Sequence, residues 1–173
     1  FTLVDSVAAL IERHRKQAAK RQYDMLLLPD AATPVVVDPK VAFKFPLGQY
    51  PAPTLYEGGI VFKRHYYKQP ADMNGDEAKC AAEIDRSAAV EYWVRNLTRH
   101  DCAFWLQTST DKFYPDFIAL RKDGVVAAVV FKAFKDVSND DSKEKKAIGE
   151  VWAARSGDAC RFAMVTVRDY QKV

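Results

Sequence analysis

No stretch of this sequence approaches the ~18 uninterrupted apolar residues that a membrane-spanning helix requires; the longest strongly apolar run, residues 125–131, has the length of a buried strand. Cysteine is scarce. Cys80, Cys102 and Cys160 are odd in number, widely spaced and form no C-x-x-C pair, which argues against a disulfide framework or a Cys-based zinc site. Thiols used this way suit a reducing, cytoplasmic setting, with Cys80 and Cys160 as buried structural groups. His14, His65 and His100 are equally scattered, and without an H-x-x-x-H pair a zinc-hydrolase site finds no ligands. There is no Walker A motif, no RNP-like aromatic pattern and no Lys/Arg-rich tail, so an ATPase or an RNA-binding reading has no residues to rest on. Internal repeats and low-complexity tracts are absent as well. The opening residues lack both an initiator Met and the basic start and apolar stretch of a signal peptide, from which we expect a segment of a longer polypeptide.

The charge excess is small: 26 Lys and Arg against 23 Asp and Glu, a net +3 over 173 residues. With 49% apolar and 28% charged residues the composition is that of an ordinary globular protein. The length suits one domain with an appended arm, and it supports a core that needs no metal or disulfide staple.

Residues 2–22 read as an amphipathic helix, with Val4, Val7, Leu10 and Ile11 as a short apolar stripe and Arg13, Arg15, Lys16, Lys20 and Arg21 crowding its second half. Residues 23–28 read as a short strand stopped by Pro29. Six prolines between Pro34 and Pro70 forbid a long helix there and leave extended pieces, with 35–37, 42–45 and 59–65 as candidate edge strands. Aromatics recur through this stretch, which marks an arm that packs rather than a disordered linker. From Met73 the pattern changes. Residues 74–97 lack proline and carry Ala78, Ala81, Ile84, Ala88 and Tyr92 at helical spacing, with Asn74 or Asp76 as N-cap. Strands follow at 103–107 and 113–120, then a turn at Lys122-Asp123-Gly124 and a third strand at 125–132. A second helix at 142–155, opened by a Ser cap, and a last strand at 161–167 complete the order. Trp93, Trp105 and Trp152 are expected to pack inward.

Tyr114-Pro115-Asp116 opens one of these strands, and the neighbouring hairpin strand ends in Val130-Phe131-Lys132. A Pro-Asp beside a strand-end Lys is the layout of a P-D…(D/E)-x-K metal-dependent nuclease. Phosphodiester hydrolysis uses a divalent cation to polarise the phosphoryl oxygen and to produce a nucleophilic water, and hard cations take carboxylate oxygens. The Lys stabilises the developing negative charge. Lys is rarely buried unpaired, which favours a role for Lys132 in the site over the alternative of a strand-end Lys snorkelling to solvent. Glu77, at a helix start, is either an acid facing such a metal or simply a capping residue favoured by the helix dipole. Lys135, Lys143, Lys145 and Lys146 are candidate phosphate contacts, but their interleaving with Asp136, Asp140, Asp141 and Glu144 also describes a solvated helix face.

Further pieces appear in a fixed order: Tyr56-Glu57-Gly58, Phe62-Lys63-Arg64-His65-Tyr66-Tyr67, Asn74-Gly75-Asp76-Glu77, Cys80-Ala81, Ile84-Asp85 and Trp93-Val94-Arg95-Asn96-Leu97. After them come Phe104-Trp105-Leu106, Phe113-Tyr114-Pro115-Asp116-Phe117, Asp123-Gly124, Lys143-Glu144-Lys145 and Ile148-Gly149-Glu150-Val151-Trp152. Over about residues 50–167 the chain resembles the C-terminal nuclease domain of type III restriction-enzyme Res subunits and related DEAD/DEAH-box helicase-like proteins. The resemblance implies an α/β fold with a restriction-endonuclease-like core: helix, three strands, helix, strand, in a mixed sheet flanked by helices. Residues 1–72 would form the N-terminal helix and Pro-rich arm, and 73–173 the core. It also implies duplex DNA as substrate, Mg²⁺ as cofactor and no membrane. An ATP-driven helicase motor would lie ahead of Phe1 and a modification methyltransferase subunit would be a partner, so that ATP acts only outside this chain.

One departure stands out. Where the family reads Glu-Tyr-Lys-Gly, this chain has Val130-Phe131-Lys132-Ala133, so a metal-binding acid is missing at position 130. On the resemblance, Asp116, Lys132 and Glu77 would be catalytic, with Asp116, Glu77 and a relocated Glu150 (or Glu144) as metal ligands. The alternatives are a domain that has lost catalysis and serves DNA binding or subunit docking, or an inactivated variant of an active enzyme.

Overall fold

Nine elements follow one another in the computed structural model, which describes residues 3–26, 45–48, 50–133 and 139–169; for 3–5 and 19–26 only the backbone is described. They are α1 (Leu3–Leu26), α2 (Gly75–Arg86), β1 (Val90–Arg95), β2 (Leu106–Gln107), β3 (Lys112–Phe113), β4 (Phe117–Arg121), β5 (Val126–Phe131), α3 (Asp140–Arg155) and β6 (Cys160–Val165). The fold is α/β, with a mixed four-stranded sheet in the order β1-β4-β5-β6 flanked by helices; β2 and β3 form a separate hairpin. β1, β4 and β5 run antiparallel in turn, and β6 lies parallel to β5 across the α3 crossover.

Alternation along the strands divides the core between the two faces of the sheet. Trp93, Phe117, Ala119 and Val129 meet Ala78, Ala81 and Ile84 of α2 on one face. Val94, Ile118, Ala128 and Val130 meet Ile148 of α3 on the other, where Phe104 and Phe113 from the hairpin region close the layer. The β4–β5 turn is as expected: Gly124 takes φ +84°, a left-handed conformation that glycine adopts without steric cost.

Several expectations are corrected. The first core helix does not reach residue 97 but ends at Arg86, and 90–95 form β1. Val90, Tyr92, Trp93 and Val94 are β-branched or aromatic and suit a pleated surface. The break itself is held by polar groups. Arg64 donates to the carbonyl of Ser87, the helix C-cap, and, at 3.0 Å, to that of Val90 at the start of β1. Asp85, in the last turn of α2, accepts from the Trp93 indole N–H at 2.9 Å and from the backbone N–H of Arg64 at 2.8 Å. The arm residues 64–66 bond Trp93 from outside, His65 pairing with it as an isolated parallel bridge, so 59–65 does not form a full strand. Of the expected strand 103–107 only Leu106–Gln107 pairs, and the expected strand 113–120 is split by Tyr114–Asp116 into β3 and β4, because Pro115 has no N–H to give a ladder. Residues 23–26 continue α1 instead of forming a strand, and α3 is capped by Asn139, whose side chain accepts from the Ser142 N–H at 2.7 Å, rather than by Ser142. Trp93 is fully buried, whereas Trp105 and Trp152 are half-buried. The expected strand 35–37 and residues 42–44 lie outside the described residues.

α3 sits on β6 through Gly149. A Cβ there would come within 2.4 Å of the Phe162 ring. Helix propensity alone favours Ala over Gly by about 1 kcal/mol, but overpacking of this kind costs about 1–3 kcal/mol. Gly149→Ala is therefore expected to lower the urea midpoint, by a net ~1 kcal/mol, and Phe162→Leu in the same chain to restore part of it. An unchanged or raised midpoint would show that the ring yields freely.

Candidate functional site

Asp116 is set in place by a buried asparagine. Asn96, directly after β1, donates from Nδ2 to the carbonyls of Phe104 and Pro115, both at 2.8 Å, and accepts from the Phe104 N–H at 3.0 Å. Its own N–H donates to the Asp116 carbonyl at 2.9 Å. These bonds close the excursion between β1 and β4 at its base and deliver Pro115-Asp116 beside the end of β1. Full satisfaction matters here, since a buried amide left unpaired costs about 1–3 kcal/mol.

At this junction Arg95 lies between two carboxylates. Its Nη1 is 3.1 Å from Asp116 Oδ1 and its Nη2 is 3.0 Å from Glu77 Oε1, with all three side chains largely shielded from solvent. Nη1 also donates to the Asp116 carbonyl at 3.2 Å, and the guanidinium stacks 5.0 Å from the centre of the Phe117 ring. The remaining oxygens are occupied too. Asp116 Oδ2 accepts from the Phe131 N–H at 2.8 Å. Glu77 Oε2 accepts from the Asn74 N–H at 2.9 Å, one half of a capping box whose other half is the Asn74 side chain on the Glu77 N–H. Burial pushes the Asp116 carboxyl above its ordinary range, while Arg95 and the Phe131 N–H pull it back down. Beneath the junction Cys80 is fully buried, and burial raises its thiol to about 12, so it is an inert thiol. A cleft of about 520 Å³ is lined in part by Pro51, Asp72, Arg95, Asn96 and His100.

His65 supports Arg95 from the arm. Its Nε2 accepts the Arg95 backbone N–H at 3.1 Å, so the proton sits on Nδ1, which donates to the Tyr67 carbonyl at 2.9 Å. Half-buried and bonded at both ring nitrogens in its neutral form, the ring is pushed down to about 4, chiefly by its removal from water.

The sequence-derived candidates distribute unevenly. Asp116 and Glu77 are brought together, with Arg95 between them. Lys132 follows Phe131 at the end of β5 and is half-buried; its N–H donates to the Val165 carbonyl, and no ion pair joins it to either carboxylate. Val130 is 2% exposed, inside the apolar layer under α3. Glu150 sits on the exposed face of α3, 3.8 Å from Lys146, and Glu144 accepts from the Ser109 N–H at 2.9 Å; neither joins Asp116. Lys143 and Lys145 pair with Asp140 and Asp141, and Lys145 also lies over the Phe113 ring. The helix lysines are thus paired along their own helix, the solvated-face arrangement. Lys135 lies outside the described residues. The expected helix over 74–97 put Arg95 in its last turn, and the scattered histidines gave His65 no role. The i, i+2 spacing of Trp93 and Arg95 in a strand, which puts both on the α2 face, was the available signal.

The donor set does not fit a magnesium ion. Both oxygens of Asp116 and of Glu77 are engaged by protein N–H groups, the site already holds a cation, and position 130 offers hydrocarbon. Among the described residues no three His, Cys, Asp or Glu side chains converge as a metal site would require. Comparisons with family models, with curated proteins and with solved structures returned no match.

His65 gives a pH prediction. Its folded-state value lies below the unfolded one near 6.5, so on acidification the unfolded chain takes the proton first. This contribution to stability is whole above about pH 6.5 and is lost as the pH falls towards 4, to a total of about 3 kcal/mol. NMR should show the His65 ring signals unshifted from pH 8 down to about 5. Between pH 7.5 and 4.5 the urea midpoint of His65→Gln should fall less than that of the parent chain. A ring titrating near 6.5 would contradict the bonding described.

Proposed function

We propose that this chain is a restriction-endonuclease-like domain of a type III restriction-like, ATP-dependent helicase–nuclease, in a catalytically degenerate form that binds duplex DNA within a larger assembly without cutting it. The order α2, β1, β4, β5, α3, β6 supports the fold: a helix, three antiparallel strands, a crossover helix and a strand parallel to the third. The β4–β5 hairpin supports the kinship of the site, because it carries Pro115-Asp116 at one strand start and Lys132 at the neighbouring strand end. In this reading ATP turnover belongs to a motor domain outside the chain, and target recognition to a modification methyltransferase subunit.

The observation that carries the loss of catalysis is Val130. Extending the β4–β5 register one step past Phe117↔Val129 sets position 130 opposite Asp116, where a second metal-binding acid belongs. The side chain there is a valine that packs in the apolar layer of Ile118, Ala128 and Ile148. No described carboxylate replaces it: Glu150 is exposed and Glu144 is bonded to the hairpin. Duplex binding would then be a backbone grip, with Lys132 as the cation free of both site carboxylates, and it would be modest because the helix lysines are neutralised by their neighbours.

The test is a plasmid-nicking assay in Mg²⁺ and in Mn²⁺, run beside salt-dependent duplex binding. The parent chain, Asp116→Ala and Val130→Glu are all expected to leave supercoiled plasmid intact. Val130→Glu should in addition lose about 3 kcal/mol or more of stability, because it buries a charge in hydrocarbon. Lys132→Ala should weaken duplex binding several-fold, by the loss of about one phosphate contact. Metal-dependent nicking by the parent that disappears in Asp116→Ala would establish an active nuclease, and absence of any duplex binding would remove the DNA-binding half of the proposal.

A further inference from the structure

The Arg95 guanidinium occupies the space between Glu77 and Asp116 where a cation-binding site would hold its ion. Two carboxylates approaching in a shielded cleft cannot both stay ionised without a positive charge between them. Here that charge is covalently part of the chain. Its hold is multiple: two ion pairs, a bond to the Asp116 carbonyl and a ring face below. The backbone N–H of the same residue is fixed by His65. A planar guanidinium presents donors in several in-plane directions, which lets one side chain serve two carboxylates from different elements at once. An ammonium or a spherical ion would have to be placed and retained by other means.

We propose that Arg95 is the resident cation of this site: it takes the place of a divalent metal, so the domain folds, closes the junction of α2 with β4 and binds its partners without any metal ion. The consequence is specific. Metal should not enter while the guanidinium is present, and the two carboxylates left by its removal should become a binding site for a divalent ion. The stability arm of this inference stands on the geometry alone; only the arm that reads DNA binding rests on the function proposed above.

Thermal melting of the full chain tests it. The parent should melt at the same temperature in EDTA and in 5 mM Mn²⁺ or Mg²⁺, about as expected for a protein with no ion to lose. Arg95→Met, which keeps the length of the stem and removes the charge, should melt about 10 °C lower. It should regain at least about 3 °C in ~5 mM Mn²⁺, since an ion held only by the folded state stabilises it. Arg95→Met with Glu77→Gln and Asp116→Asn, where no negative charge remains to be met, should melt above the single variant and ignore Mn²⁺. Should Arg95→Met fail to fold, the triple variant and the parent still decide the matter. A parent that is stabilised by Mn²⁺, with the response abolished in Glu77→Gln/Asp116→Asn, would overturn the proposal, as would a folded Arg95→Met that melts like the parent or ignores the ion. Duplex binding by the parent, where present, should be equal in EDTA and Mg²⁺; loss of binding in EDTA alone would likewise overturn the claim of metal independence.

Discussion

Two carboxylates that share one guanidinium at a shielded junction define the central constraint on this domain. Glu77 belongs to the first turn of α2, Asp116 to the residue before β4, and Arg95 to the last position of β1. Three separate elements therefore converge on one guanidinium, and the sheet cannot shift against α2 without breaking an ion pair. Isolated surface pairs contribute little, but one partner removed from a shielded pair leaves an uncompensated charge, an effect of about 3–5 kcal/mol. The exposed pairs along α3 are of the first kind. The Arg95 junction is of the second.

What surrounds the junction serves its geometry. Asn96 satisfies the backbone on both sides of the chain's return to β4. His65 reads the backbone N–H of Arg95 from the arm, and Tyr50 donates to the Arg95 carbonyl at 2.6 Å while accepting from the Ala71 N–H. The Pro-rich arm is thus part of the core's polar wiring rather than a tether, which accounts for its density of aromatics. Tyr50 and Tyr67 stack at 4.4 Å, and Tyr67 hydrogen-bonds the Pro46 carbonyl.

The elements with strong local signals were legible. The β4–β5 hairpin, with Asp-Gly at its turn, and the crossover α3–β6 fall where hydrophobic pattern and turn chemistry put them. β1 was not, because its apolar residues also satisfy a helical period and α2 runs into it with only a few residues between. What decides for strand is tertiary: Trp93 is bonded by Arg64 and Tyr66 from the arm and by Asp85 from the helix end. Misplacing β1 also concealed Arg95, since at a helix end it faces solvent and in a strand it shares the α2 face with Trp93. Asp116 and Glu77 were found by motif and by capping position, and nothing in either signal indicates that the two would meet around a cation of the chain's own.

Val130 and Arg95 stand on opposite faces of the sheet, the valine in the layer under α3 and the guanidinium towards α2. A carboxylate at 130 would sit in the apolar layer under α3, across the sheet from Glu77 and Arg95, as a charge buried in hydrocarbon. On the junction side the oxygens of Asp116 and Glu77 are already engaged by N–H groups. With valine at 130 the layer under α3 stays apolar, and one positive charge faces two negative ones, each of which also accepts a backbone N–H. Neither substitution alone would give a comfortable interior. A glutamate at 130 buries a charge in the layer under α3, and a neutral residue at 95 leaves two carboxylates repelling each other. On the α2 side, hydrogen bonds and a fixed guanidinium do the electrostatic work of an ion.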